Sequence, residues 1–270
     1  MHMSSKNIVR SYLFVPASRP ERIDKAFNAG AGAVIVDLED AVSPADKETA
    51  RESLYKHLRT DRGVYVRINS ADTAWFEQDL ELCKSSGVSG VFLPKAESRE
   101  VIETVSRTIG NEKLLVPLIE TARGIDKARE MAATGKIQRF GFGSIDFQVD
   151  LRIDGEGEEL LFFRSQIVLI SRLENLLPPV DGVTVVFDDE EVIRSETSRG
   201  RRLGFGGKLC IHPKQVPVVN GCYRPSEALI DWARRVVVAT DKSNGAAVAV
   251  DGKMVDLPVI LLAKEILAGA

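Results

Sequence analysis

The stretch 33-AVIVDLEDAV-42 begins as an unbroken apolar, β-branched run and ends in three carboxylates, Asp37, Glu39 and Asp40. A run without polar alternation is the pattern of a strand buried on both faces of a parallel sheet. Seven further stretches read the same way: 12-YLFVPA-17, 64-VYVRIN-69, 90-GVFLPK-95, 114-LLVPLIE-120, 139-RFGFGSID-146, 182-GVTVVFD-188 and 206-GGKLCIHP-213. Between them lie helical stretches such as 45-ADKETARESLYKHL-58 and 158-EELLFFRSQIVLISRLENLL-177, with apolar residues at three- and four-residue steps. Pro20 and Pro44 stand where a first helical turn tolerates proline.

Eight βα units in series, with no GxGxxG after the first strand, predict an α/β fold of the TIM (β/α)8 barrel type rather than an open doubly wound sheet. The 270 residues suit it, since such barrels commonly have about 250. Residues 1–220 are expected to form the catalytic barrel and 221–270 a C-terminal helical extension packing on a neighbouring subunit. That extension reads as a helix over 226–240, a loop over 241–256 and a helix over 257–268.

Composition narrows the function. The chain is 44% hydrophobic and 28% charged with a net charge of -3, as in an ordinary folded protein. It carries no basic surplus for a phosphate backbone, so no nucleic-acid partner is expected. No apolar run is long enough to span a membrane, and 1-MHMSSKNIVR-10 has no apolar core of a secretory signal, which predicts a cytoplasmic protein. Cys83, Cys210 and Cys222 are odd in number and lack CxxC spacing, arguing against both a disulfide framework and a thiolate zinc site.

Active sites of TIM barrels lie at the C-terminal ends of the strands. There the chain places Asp37, Glu39 and Asp40, then Arg67 and Asn69, Lys95, Glu120, Asp146, Asp188 and His212. Glu120 and Asp146 come from consecutive strands, roughly 5 Å apart in a sheet, so both carboxylates can reach one hard cation, for which Mg²⁺ fits best. Each residue also has a plainer reading. Glu120 could cap a helix, Arg67 could pair structurally with Asp37 or Asp40, Asp40 could open a turn before Pro44, and His212 could be a satisfied structural histidine. Lys95 could form a Schiff base, but carboxylates nearby favour its ammonium and hence an ion-paired or phosphate-binding role.

The phrases 13-LFVPASRPER-22, 37-DLEDAVSPADK-47, 66-VRIN-69, 93-LPKAES-98, 118-LIETARG-124, 141-GFGSIDF-147, 206-GGKLCIHPKQ-215 and 252-GKMVDLP-258 resemble the citrate lyase β-subunit-like proteins of the HpcH/HpaI aldolase superfamily. The resemblance spans nearly the whole chain. It implies a trimeric TIM barrel that cleaves or forms a carbon–carbon bond beside a CoA thioester with Mg²⁺, acting on citryl-, malyl- or citramalyl-CoA and a short α-keto acid. It puts the metal on Glu120 and Asp146, an oxyanion-stabilising role on Arg67, and ordering of the metal's water ligands on Glu39 and Asp40. It also puts acid/base work on Asp256, often supplied by the adjacent subunit, although MVDLP reads equally as a helix N-cap. CoA phosphates could meet Arg19, Arg22, Lys25 or Lys95. Ser144 departs from the pattern, many relatives carrying Glu there. Two other readings stay open: a metal-dependent aldolase on free 4-hydroxy-2-oxo acids, and a lyase subunit working on an acyl-carrier-bound thioester.

Overall fold

The apolar runs pair in chain order. The computed structural model describes residues 8–242 and 248–269. In it β1 (Ser11–Pro16), β2 (Ala33–Asp37), β3 (Val64–Arg67), β4 (Val88–Leu93), β5 (Leu114–Ile119), β6 (Gly141–Phe142), β7 (Val180–Asp181) and β8 (Gly207–Cys210) form a closed parallel barrel in that order, β8 returning to β1. The TIM barrel expected from the alternation is the fold. The crossover helices are α1 (Ile23–Asn28), α2 (Lys47–His57), α3 (Phe76–Leu82), α4 (Arg99–Ile109), α5 (Ala122–Ala132), α6 (Ser144–Leu151), α7 (Leu161–Leu173) and α8 (Glu190–Leu203), and α9 (Gln215–Tyr223) follows β8. Pro20 and Pro44 each open a short 3-10 turn.

Inward-facing residues fill the barrel. Tyr12, Tyr65 and Phe92 meet edge to face with centroids 5.5–5.6 Å apart, among Ile35, Val116, Leu118, Val180 and Leu209. Gly90 makes room for this cluster, because a Cβ there would come within 2.6 Å of the Tyr65 ring and of the Leu114 carbonyl. Arg139, completely buried, donates to the carbonyls of Pro178 and Val9 and to the Tyr12 hydroxyl, so its charge is met by oxygen atoms.

Two strands differ from their sequence reading. The seventh is Val180–Asp181 and not 182–188. The GVTVVFD run follows it as a loop, with Val185 63% and Phe187 44% exposed. Its carbonyls at Thr184 and Val186 accept from Gln215 Nε2 instead of a neighbouring strand. A short β-branched run carries the same periodicity whether it pairs or lines a cavity edge, so pattern alone could not separate the two. The sixth strand ends at Phe142, and the chain turns into α6 at Ser144, which puts Asp146 in a first helical turn.

Residues 9–220 form one compact unit, and residues from Gly221 onward belong to a second. The second holds α10 (Glu227–Lys242), an antiparallel hairpin of β9 (Val248–Val250) and β10 (Lys253–Val255), and α11 (Leu257–Ala268) around Ala233, Val236, Val250, Val255, Ile260 and Ala263. The loop expected over 241–256 is thus corrected in part to a hairpin, while residues 243–247 lie outside the described residues. Its turn is Asp251-Gly252, both at positive φ, as a two-residue hairpin turn requires. No helix among the described residues is long and apolar enough to cross a membrane.

Candidate active site

Strand register brings the first charges together. Asp37 and Arg67 are Cα partners at the ends of β2 and β3. The guanidinium grips the carboxylate with both prongs, Nε to Oδ1 at 2.8 Å and Nη2 to Oδ2 at 2.7 Å. Asp37 also accepts from the N–H groups of Glu39 and Ala41, closing the turn that follows β2. The remaining prong of Arg67, Nη1, lies 3.0 Å from Glu39 Oε2 and 3.4 Å from Asp40 Oδ2. The structural pairing considered for Arg67 is present with both Asp37 and Asp40.

Glu120 follows β5 and is 2% exposed. Its Oε2 accepts from the Lys95 N–H at 2.7 Å, and Gly143 leaves it space: a Cβ at 143 would lie 2.4 Å from Glu120 Cγ. Burial, with the neighbouring Glu39 and Asp146 carboxylates, pushes Glu120 up to about 8. Burial likewise pushes Glu39 up to about 7, against the pull of Arg67. Asp146 is raised too, through burial and then Asp40.

Asp37, Asp40, Arg67, Glu120 and Asp146 form the charged wall of one cavity of about 470 Å³, whose apolar wall includes Phe14, Phe142, Val183 and Ile211; Glu39 is not part of this lining but sits against Arg67 Nη1. Carboxylates outnumber the cations that reach them. Glu39 Oε2 is the sharpest sign, being buried with no hydrogen-bond donor among the described residues, since Arg67 Nη1 is close but poorly directed. The donor set therefore fits a hard divalent cation. Among the described residues no three His, Cys, Asp or Glu side chains cage an ion by themselves. Mg²⁺ usually takes one or two carboxylates and completes its octahedron with water and substrate oxygens.

The other sequence candidates are placed as follows. Lys95 has a left-handed backbone (φ 45°) and an exposed side chain, so its N–H is what touches Glu120. Arg19 is exposed and pairs with Glu21 at 2.7 Å; Lys25 is exposed on α1; neither lines the cavity. Asp188 is exposed in the loop after β7. His212 stacks on Phe187 with centroids 4.8 Å apart, and its Nδ1 accepts from the Lys214 N–H, the satisfied structural reading. Asn69 points behind the acidic turn, to Asp79 and the Leu38 carbonyl. Asp256 caps α11 by accepting from Val259 N–H at 3.5 Å. The sequence reading missed Lys47, whose buried ammonium sits under the same turn. Its sequence signals were its place at the end of the quoted phrase 37-DLEDAVSPADK-47 and a first helical turn, where the helix dipole disfavours a lysine.

The raised carboxylates carry a pH prediction. Groups whose folded-state pKa lies above the unfolded value bind more protons when folded, so stability falls as pH rises through the interval from the ordinary glutamate range near 4.5 to about 8. A divalent cation competes for the deprotonated form and should offset the loss. In chelator, Tm is expected to drop between about pH 5.5 and about pH 8.5, and Mg²⁺ at a hundredfold excess over its Kd to raise Tm by about 5 °C or more at the higher pH. The gain should be smaller at the lower pH. Equal gains at both would remove these carboxylates from the metal site.

Comparisons with known proteins give the family. A family model described as HpcH/HpaI aldolase/citrate lyase matches residues 10–213. The citrate lyase subunit beta-like protein of Mycobacterium tuberculosis is 38% identical over 267 residues, covering 96% of this chain and 94% of that one. The (3S)-malyl-CoA thioesterase of Cereibacter sphaeroides is 34% identical over 269 residues, covering 97% and 94%. Among solved structures, protein CitE from Mycobacterium tuberculosis in complex with magnesium, acetoacetate and coenzyme A superposes with a TM-score of 0.85 at 35% identity, covering 96% of this chain and 97% of that one. With an eight-stranded barrel, an acidic cluster at its strand ends and relatives matched over almost their full length, the chain belongs to the HpcH/HpaI aldolase/citrate lyase family, among its citrate lyase β-subunit-like members.

Proposed function

We propose that the protein cleaves, or in reverse forms, a β-hydroxyacyl-CoA thioester, giving a short α-keto acid and an acyl-CoA, with Mg²⁺ held by Glu120 and Asp146. The observation that carries this reading is the excess of carboxylates around Arg67, with Asp37, Asp40, Glu120 and Asp146 lining one cavity and a Glu39 oxygen beside Arg67 that has no hydrogen-bond donor among the described residues. A divalent ion at that place supplies a Lewis acid and a template for the carboxylate and carbonyl oxygens of the keto acid. The apolar wall of Phe14, Phe142, Val183 and Ile211 limits water around the reacting carbons.

Cleavage requires the β-hydroxyl to lose its proton, the carbon–carbon bond to break and the thioester to leave as its enolate. Arg67, permanently charged and oriented by Asp37, stabilises negative charge on the reacting oxygen. Glu39 and Asp40 would order the water ligands of such an ion. Asp256, supplied by a neighbouring copy in a homotrimer as the family resemblance implies, delivers a proton to the acyl carbon. Arg19, Lys25 and Lys95 lie at or near the first and fourth βα loops and are proposed to meet the CoA phosphates. Similarity to a citrate lyase subunit beta, 32% over 286 residues in Leuconostoc mesenteroides subsp. cremoris, keeps a carrier-bound thioester as the second substrate to try.

The test is a panel of malyl-, citramalyl- and citryl-CoA with and without Mg²⁺, following keto acid and free CoA separately. Metal-dependent keto-acid release is the expected result. Free CoA without keto acid would replace the lyase reading by thioester hydrolysis, and turnover of free 4-hydroxy-2-oxo acids alone would replace it by an aldolase. Asp256 is tested by Asp256→Asn, since asparagine caps a helix as well as aspartate does but moves no proton. A fall in kcat of about a hundredfold at unchanged Tm is expected; full activity would leave Asp256 as a cap alone.

A further inference from the structure

Lys47 is the first residue of α2 and only 5% exposed. Both facts oppose it, because the helix dipole repels a cation at that end and burial strips its water. A residue that breaks its local rules is expected where a tertiary task compensates. Its Nζ donates to the carbonyls of Leu38 at 2.8 Å and Glu39 at 2.7 Å, and stands 5.2 Å from the centre of the Trp75 ring. Neither of these partners is a carboxylate.

Those carbonyls belong to the turn that sets Glu39 against Arg67 and presents Asp40 to the cavity. The turn is gripped on its carboxylate side by Arg67, on its N–H groups by Asp37 and on its carbonyls by Lys47. Asn69 Nδ2 adds a second donor to the Leu38 carbonyl at 3.1 Å. It is anchored in turn by Asp79, fully buried, which also accepts from Arg51 Nε at 2.7 Å. The Glu39 carboxylate is repelled by those of Asp40, Asp37 and Glu120, and the Asp40 carboxylate also by that of Asp146. Without a clamp on its carbonyls, the turn could relieve that repulsion by swinging outward.

We propose that Lys47 is a positioning residue that fixes the carbonyls of Leu38 and Glu39 and so sets the Glu39 and Asp40 carboxylates toward a cation at Glu120 and Asp146. This rests on the metal reading above. Lys47 touches neither substrate nor ion; it acts through the turn.

The experiment is calorimetric titration of the full chain with Mg²⁺ for the unaltered protein, Lys47→Met and Asn69→Ala, alongside the Mg²⁺ and thioester dependence of turnover. Lys47→Met is expected to weaken Mg²⁺ binding about tenfold or more. It should raise the Mg²⁺ midpoint of turnover in parallel, with thioester KM within about twofold. Asn69→Ala, which removes the second donor to the same turn, should shift the Mg²⁺ Kd in the same direction by less. A role in folding alone would lower Tm and leave the Kd of the folded fraction unchanged, and that result overturns the proposal. Should Lys47→Met fail to fold, a Kd for Asn69→Ala within about twofold of the unaltered chain overturns it instead. An unaltered chain that binds no Mg²⁺ sinks the metal reading and this inference together, whereas binding indifferent to both substitutions sinks this inference alone.

Discussion

Asp146→Ala is expected to lower Mg²⁺-dependent keto-acid release by about a thousandfold or more while the barrel stays folded. Asp146 is half-buried in the first turn of α6 and lines the cavity rather than the core. A carboxylate in a first helical turn contributes about 0.3–1 kcal/mol through the helix dipole, so its loss alone does not threaten a 270-residue chain. A metal ion's Lewis-acid contribution is several kcal/mol, and each 1.4 kcal/mol is a factor of ten in rate. The two effects therefore separate: turnover should collapse with Tm shifted by only a few degrees. Calorimetry on the same variant should show Mg²⁺ binding greatly weakened. Retention of a tenth of the activity, with normal Mg²⁺ affinity, would remove Asp146 from the metal site and leave Glu120 without its partner.

Arg67→Lys is the second large effect, expected at about a hundred- to a thousandfold in kcat. The charge is conserved, so any loss measures the fork. Arginine meets both oxygens of Asp37 through Nε and Nη2 and still has Nη1 for the cavity, whereas an ammonium on a flexible stem cannot hold Asp37 at two points and reach the same place. Thioester KM should change much less than kcat, because the interaction matters most where charge develops on oxygen. Activity within tenfold of the unaltered chain would reduce Arg67 to a structural counter-ion for Asp37, Glu39 and Asp40. Arg67→Met would then test that lesser role, since removing the guanidinium leaves three carboxylates to repel one another.

Much of this site was legible because register in a parallel barrel is simple. Strands of the same alternation pair in chain order, so Asp37 and Arg67, each at the end of an apolar run, had to be neighbours. Glu120 and Asp146 were likewise brought to adjacent strands, paired at Leu118 with Gly141 and Ile119 with Phe142. The seventh strand was misplaced because Val183 to Phe187 satisfy a strand pattern without pairing, their carbonyls at Thr184 and Val186 being met by a glutamine from beyond β8. The hairpin of the tail was missed although Asp251-Gly252, between Val248–Val250 and Lys253–Val255, is a recognisable turn. Lys95 was read for its ammonium, while its main-chain N–H is what meets Glu120.

By itself, the sequence determined the class of fold, the set of strand-end carboxylates and the arginine among them, since these follow from periodicity and from the direction of a parallel strand. Only the tertiary structure decided which charges touch. Asp37 takes Nε and Nη2 of Arg67, Glu39 is left with an oxygen that has no hydrogen-bond donor among the described residues, and Lys47 holds the turn from behind. Side-chain contacts between residues distant in the chain depend on burial and on angles that close only when the barrel does, and no local pattern records them.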